Sequence, residues 1–240
     1  MIRSLSTKSC SRRVAAALSS SCSGKRFNSA STTPTPAPIP AAGDRKLPPL
    51  SPRTRDFLAR LIRVDQAGEL GADLIYSGQH AVFKRTRPDL EPLIAHMWDQ
   101  EVYHHKTFDA LQTTHRVRPS VFSPLWTVAA YGLGVGTAVM GKEAAMACTL
   151  AVETVIGGHY NDQLRELVAL IESEAAVAED GRASEELREL AKMVSRFRDD
   201  ELEHLETAVE HDAEKARPYI LLTETIKAGC RAAVWTAERF

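Results

Sequence analysis

The chain has 240 residues, 44% hydrophobic and 25% charged, a composition that excludes wholesale disorder and collagen-like repeats. Its net charge of −1 hides an uneven spread: residues 1–43 hold six basic side chains and no acid, which leaves 24 basic against 31 acidic residues and a net of −7 for the rest. That body lacks the clustered Lys and Arg needed to neutralise phosphates, so nucleic acid is excluded as a partner.

The basic start comes first in chain order. Residues 1–33 are Ser- and Ala-rich, contain Arg3, Lys8, Arg12, Arg13, Lys25 and Arg26, and read as a mitochondrial transit peptide. The apolar run Val14 to Leu18 is too short for a secretory signal. Residues 34–52 hold seven of the twelve prolines and read as an extended linker, so a folded domain is predicted over 53–240. From there apolar residues recur at helical rather than alternating spacing. The prediction is all-α, with helices near 53–85, 89–115, 121–179 (broken near its glycines), 183–213 and 218–239. Pro88, Pro119 and Pro218 fall at the breaks. Cys10 and Cys22 lie in the leader, and Cys148 and Cys230 sit singly in apolar stretches. No Cys-x-x-Cys pair points to zinc, so the latter two read as small hydrophobes.

The informative feature is what occupies the apolar stripes. On the first helix Ile62, Glu69, Tyr76 and Phe83 are spaced by seven, which places a carboxylate on the core face. The second gives Ile94, Met97, Trp98, Glu101, His104, Phe108 and Leu111; the third Met146, Thr149, Glu153, Ile156 and Tyr160; the fourth Leu190, Val194, Phe197, Glu201, His204 and Ala208. Four helices each turn a Glu inward, and two add a His three residues later. Burying four carboxylates without partners costs several kcal/mol each, and no Lys or Arg sits on these stripes to meet them. Two metal ions satisfy the demand. Glu, Glu-x-x-His, Glu, Glu-x-x-His is the ligand set of ferritin-like di-iron or di-manganese bundles, and mixed carboxylate and imidazole donors suit iron or manganese. Solvated or ion-paired charges are the competing reading. His105, four residues after Glu101, competes with His104 as ligand but leans away from the stripe. Asp65 either hydrogen-bonds a ligand imidazole or is a satisfied helix-face acid. His159 lies off the Glu153 stripe near the same end, in reach of a supporting or substrate role. His80, His96 and His115 read as surface residues.

Pro119 to Gly141 is a run of 23 uncharged residues, long enough to weigh as a membrane span. Pro124, four glycines and the continuation into the Glu153 helix argue for an interfacial segment that lies in one leaflet with the amphipathic C-terminal helix. Spanning the bilayer and burial in a protein contact are the alternatives.

The strings RVDQAGELGA around Glu69, MWDQEVYH around Glu101, PLWTVAAYGLGVGTAVMGKEAAMACTLAVE ending at Glu153 and FRDDELEH around His204 resemble the demethoxyubiquinone hydroxylase family of ubiquinone biosynthesis (Clk-1/Cat5 type), from about Leu61 to the C-terminus. The resemblance implies a ferritin-like four-helix bundle with additional membrane-associated helices. It also implies a di-iron monooxygenase peripheral to the matrix side of the mitochondrial inner membrane, hydroxylating the ring of a polyprenylated demethoxy-quinone. It implies one iron held by Glu69, Glu101 and His104 and another by Glu153, Glu201 and His204, with Glu101 and Glu201 bridging. His159 and Tyr160 match a His-Tyr pair tied to substrate or electron handling, and the family pattern is apolar where His105 stands. Dioxygen as co-substrate, NADH as electron source, a lipid-binding accessory protein and other ubiquinone-biosynthesis proteins as partners are implied with it. A di-iron membrane quinol oxidase and a ferritin-type iron-binding protein are the rival functions.

Overall fold

The computed structural model describes residues 50–175 and 182–240; the transit-peptide expectation and most of the linker lie outside them. Among the described residues are α1 (Pro52–Thr86), α2 (Glu91–Thr114), α3 (Ser123–Met140), α4 (Lys142–Ala175), α5 (Arg182–Glu210), a 3-10 turn (Ala213–Lys215) and α6 (Tyr219–Arg239), with no strand. The all-α expectation holds. Helix α1 starts at Pro52, whose fixed φ suits the first turn. Ser51 caps it, its Oγ accepting from the Thr54 N–H at 3.2 Å.

The long third segment breaks at Gly141, where φ of +121° lets the chain turn from α3 into α4 without a Cβ clash. Helices α1 and α2 form one hairpin and α4 and α5 another, and the four pack as the bundle. Helix α3 lies along α1, and α6 packs on α4 and α1. The α1–α3 crossing is close because both helices place glycine at it. A Cβ on Gly78 would come within 2.6 Å of the Tyr131 carbonyl oxygen, and one on Gly134 would collide with that of Ile75.

Two apolar clusters cap the ligand layer. Toward one end Ile62, Phe108, Leu167, Leu187 and Phe197 pack together, and toward the other Tyr76, Phe83, Ile94, Met97 and Met146 do so. In each of the four bundle helices the inward Glu falls between residues of these clusters. At roughly 2 kcal/mol per fully buried large side chain, the clusters supply the stability against which the polar layer is held. Helix α3 and α6 differ in kind. Val121, Leu125, Val128, Val139 and Met140 on or beside α3, and Ile220, Leu221 and Trp235 on α6, are exposed. Their ends meet where the Val121 N–H donates to the Phe240 carbonyl at 3.2 Å. No described helix is long and apolar enough to cross a membrane.

Candidate metal centre

All six ligand candidates are at most 1% exposed. They fall into two groups, Glu69, Glu101, His104 and Glu201, and Glu101, Glu153, Glu201 and His204; within each, one donor atom per residue lies within 4.8 Å of every other. Glu101 and Glu201 belong to both. His104 Nδ1 is 3.4 Å from Glu69 Oε2 and 3.2 Å from Glu201 Oε1. His204 Nδ1 is 3.0 Å from Glu101 Oε1 and 3.4 Å from Glu201 Oε2. Both Nδ1 atoms, both oxygens of Glu101 and of Glu201, and one oxygen each of Glu69 and Glu153 have no hydrogen-bond partner. Donor atoms that converge without bonding one another suit a cation between them.

The atoms that do bond are arranged in near-symmetric pairs. Tyr76, seven residues after Glu69, donates to Glu153 Oε1 at 3.0 Å; Tyr160, seven after Glu153, donates to Glu69 Oε1. His104 Nε2 meets Asp200 Oδ2 at 3.1 Å, and His204 Nε2 meets Gln100 Oε1 at 3.1 Å. Each of these acceptors immediately precedes the other helix's Glu. With Nε2–H donated outward, each imidazole in its neutral form would turn the lone pair of Nδ1 to the centre.

Electrostatics states the same demand. Burial, and then the charge of Glu201, pushes Glu101 up to about 8. Burial, Glu201 and Glu101 also raise Glu153. Burial would raise Glu201 too, but His104 and His204 outweigh it and hold it near 2. Both histidines are raised despite burial, because carboxylates surround them. Tyr76 and Tyr160 are pushed above the usual phenol range by burial and nearby carboxylates, so they remain neutral donors. The four carboxylates balance two divalent cations, and hard oxygens with imidazole nitrogen fit iron or manganese.

The remaining candidates separate. Tyr160 reaches the centre. Asp65, buried, bonds no ligand imidazole; its Oδ1 accepts from Gln163 Nε2 at 2.7 Å. His159 Nε2 lies 2.8 Å from the same nitrogen. His105 stays out of both groups: its Nδ1 is 3.0 Å from Asp73 Oδ2, its Nε2 3.6 Å from Asp109, and Asp73 also accepts from Trp98 at 2.7 Å. His96 is exposed as expected, but His80 is half-buried against Trp98 and His115 beside Glu186. Cys148 is buried and Cys230 half-buried, and burial pushes their thiols up to about 12 and about 11. Both are inert. Periodicity alone missed Gln100, Asp200 and Gln163. Their signal is positional: one residue before each Glu-x-x-His, and four after His159.

A family model described as "Ubiquinone biosynthesis protein COQ7" matches residues 56–237. The mitochondrial 5-demethoxyubiquinone hydroxylase of Saccharomyces cerevisiae is 55% identical over 190 residues, 79% of this chain and 81% of that protein. The mitochondrial NADPH-dependent 3-demethoxyubiquinone 3-hydroxylase of Rattus norvegicus is 51% identical over 186 residues, 78% of this chain and 79% of that one.

Proposed function

This chain belongs to the ubiquinone biosynthesis protein COQ7 family, and from that premise we propose that it is a di-iron monooxygenase hydroxylating the ring of a polyprenylated demethoxyubiquinone or its quinol. The observation that carries the reading is the pair of buried donor groups with Glu101 and Glu201 in common. In this reading Glu69 and His104 would hold one ion and Glu153 and His204 the other, with Glu101 and Glu201, common to both donor groups, available to either. Iron, when bound, supplies the electrons and open coordination positions that dioxygen needs, which redox-inert zinc does not.

The chain's own residues do the rest. Asp200 and Gln100 fix the tautomers of the two imidazoles, so that Nδ1 faces the centre. Tyr160 and Tyr76 each occupy one oxygen of a terminal carboxylate and leave the other for an ion. The buried rings of Phe108, Phe197 and Tyr76 keep water from the centre. A reduced nicotinamide nucleotide is the electron source in this reading; the resemblance implies NADH, whereas the rat relative's name specifies NADPH. The exposed apolar face of α3 and α6 supports a peripheral seat on lipid, from which a prenylated ring reaches the centre without crossing water. The basic leader and the mitochondrial relatives support the matrix side of the inner membrane as its place. A lipid-binding accessory protein and other ubiquinone-biosynthesis proteins complete the proposal as partners.

A quinol oxidase leaves the ring unaltered and a ferritin-type store loads many irons per chain; the relatives' names favour ring chemistry. The test is iron-loaded protein with reductant, a short-tailed demethoxyubiquinol and labelled dioxygen. One labelled oxygen in the ring is expected, and label found only in water overturns the reading.

A further inference from the structure

Helices α3 and α6, with the residues that lead into them, carry most of the large exposed apolar side chains among the described residues. Residues 115–141 and 216–240 also differ from the rest in charge. They hold six cations (Arg116, Arg118, Arg217, Lys227, Arg231 and Arg239) against two acids, Glu224 and Glu238, a net of +4. What remains of residues 44–240 has 18 basic and 29 acidic side chains, a net of −11. An acidic body thus presents its basic segments where its apolar side chains meet solvent.

The cations form a rim around an uncharged strip. Helix α3 has no charged residue over Ser123–Met140, and Val128 in that strip is 73% exposed. Arg116 and Arg118 are exposed just before Val121 and Phe122, where the start of α3 meets Phe240 at the end of α6. Arg217 is exposed three residues before Ile220, and Arg231 one helical turn before Trp235. Both acids of these segments are already taken: Lys227 pairs with Glu224 at 3.1 Å and Arg239 with Glu238 at 3.0 Å. The other four guanidiniums have no carboxylate partner among the described residues. A second copy of the chain fits this face poorly, because two rims of one sign would oppose each other.

We propose that the face formed by α3 and α6 seats on a bilayer carrying anionic headgroups, with Arg116, Arg118, Arg217 and Arg231 meeting the negative charge around the apolar strip. The inference rests on the lipid seat of the proposed function and adds the charge of the lipid. Exposed apolar side chains enter the interface of any bilayer, whereas free guanidiniums tell an anionic surface from a neutral one. The acids of the bundle do not cancel the attraction, since charges more than about 8 Å from the membrane are largely screened at physiological ionic strength.

Cosedimentation of the full chain with phosphatidylcholine vesicles, with and without phosphatidylglycerol, tests this. The six cations of residues 1–43 would hold anionic lipid by themselves, so each is changed to Gln in every protein compared. Binding to the anionic vesicles is expected to be at least ~100-fold tighter than to the neutral ones, from four cations each worth about five-fold. Salt at about 1 M, where the screening length falls to about 3 Å, is expected to remove the difference. Arg118→Gln combined with Arg231→Gln is expected to weaken anionic binding roughly twenty-fold and to leave binding to neutral vesicles unchanged. The single variants, at about five-fold each, carry the test if the pair does not fold. Equal affinity for the two vesicles, or an undiminished preference in the variants, overturns the inference and leaves the lipid seat standing. Binding to neither vesicle overturns both, while labelled oxygen in the ring still decides the hydroxylase reading on its own.

Discussion

The interior of the bundle and the outer face of α3 and α6 are inverted versions of each other. Glu101 is 0% exposed among four buried carboxylates, while Val128 is 73% exposed on a strip of aliphatic side chains. Each arrangement is costly in water on its own: charge removed from solvent without a partner, and oil presented to it. Under the proposed function each becomes favourable once something outside the chain arrives, a pair of cations within and a lipid surface without. The two regions also differ in how they are held. The carboxylates are fixed by four helices with hydrogen bonds crossing between them, whereas α3 is held to α1 at a glycine crossing.

The sharpest way to break the inner half of this contrast is Glu201→Ala. It removes a carboxylate common to both donor groups, and bound iron and turnover are expected to fall at least ~100-fold, since losing even an orienting partner of a ligand costs up to that much. Iron titration and product formation check it. On the outer half, Gly134→Ala forces a methyl group into the α1 backbone and is expected to cost about 1–3 kcal/mol of stability or more, read as a lower melting temperature. Gly132→Ala, with open space at the same helix, is the control; it stabilises by about 0.5–1 kcal/mol through the lost glycine entropy. Replacing Val128 and Ile220 together by Asp is expected to weaken sedimentation with vesicles about ten-fold while the iron content stays put, which separates the two regions. The smallest effect on the centre belongs to His105→Leu. It costs about 1 kcal/mol by loosening the seam with Asp73 and leaves iron stoichiometry unchanged; a loss of one iron would make His105 a ligand after all.

Much of the inner region was legible because helical periodicity and burial act on the same residues. Glu69, Glu101, His104, Glu153, Glu201 and His204 stood on apolar stripes, and the fold brings them together. The Tyr76 and Tyr160 hydroxyls were on the same stripes, but periodicity assigns a face and not a partner across the bundle, so their exchange of carboxylates could not be read. Gln100 and Asp200 lie about 100° around the helix from the stripe and look solvated until a neighbouring helix brings an imidazole to them. His80 and His115 were similarly mistaken for surface residues, because Trp98 and Glu186 approach from other turns and other helices. The glycines of the long apolar segment signalled an interruption. That Gly141 makes the corner while Gly134 serves a backbone contact depends on where α1 lies, which no local pattern specifies.

The near-symmetry of the centre fails at one atom pair. Behind His104 stands Asp200, a carboxylate, and behind His204 stands Gln100, a neutral amide. A charged acceptor pulls harder on the imidazole proton and makes that ring the stronger electron donor. Two irons seated here would thus be electronically unequal, the one on His104 richer and more easily oxidised, and two similar hairpins would give a centre with a polarity.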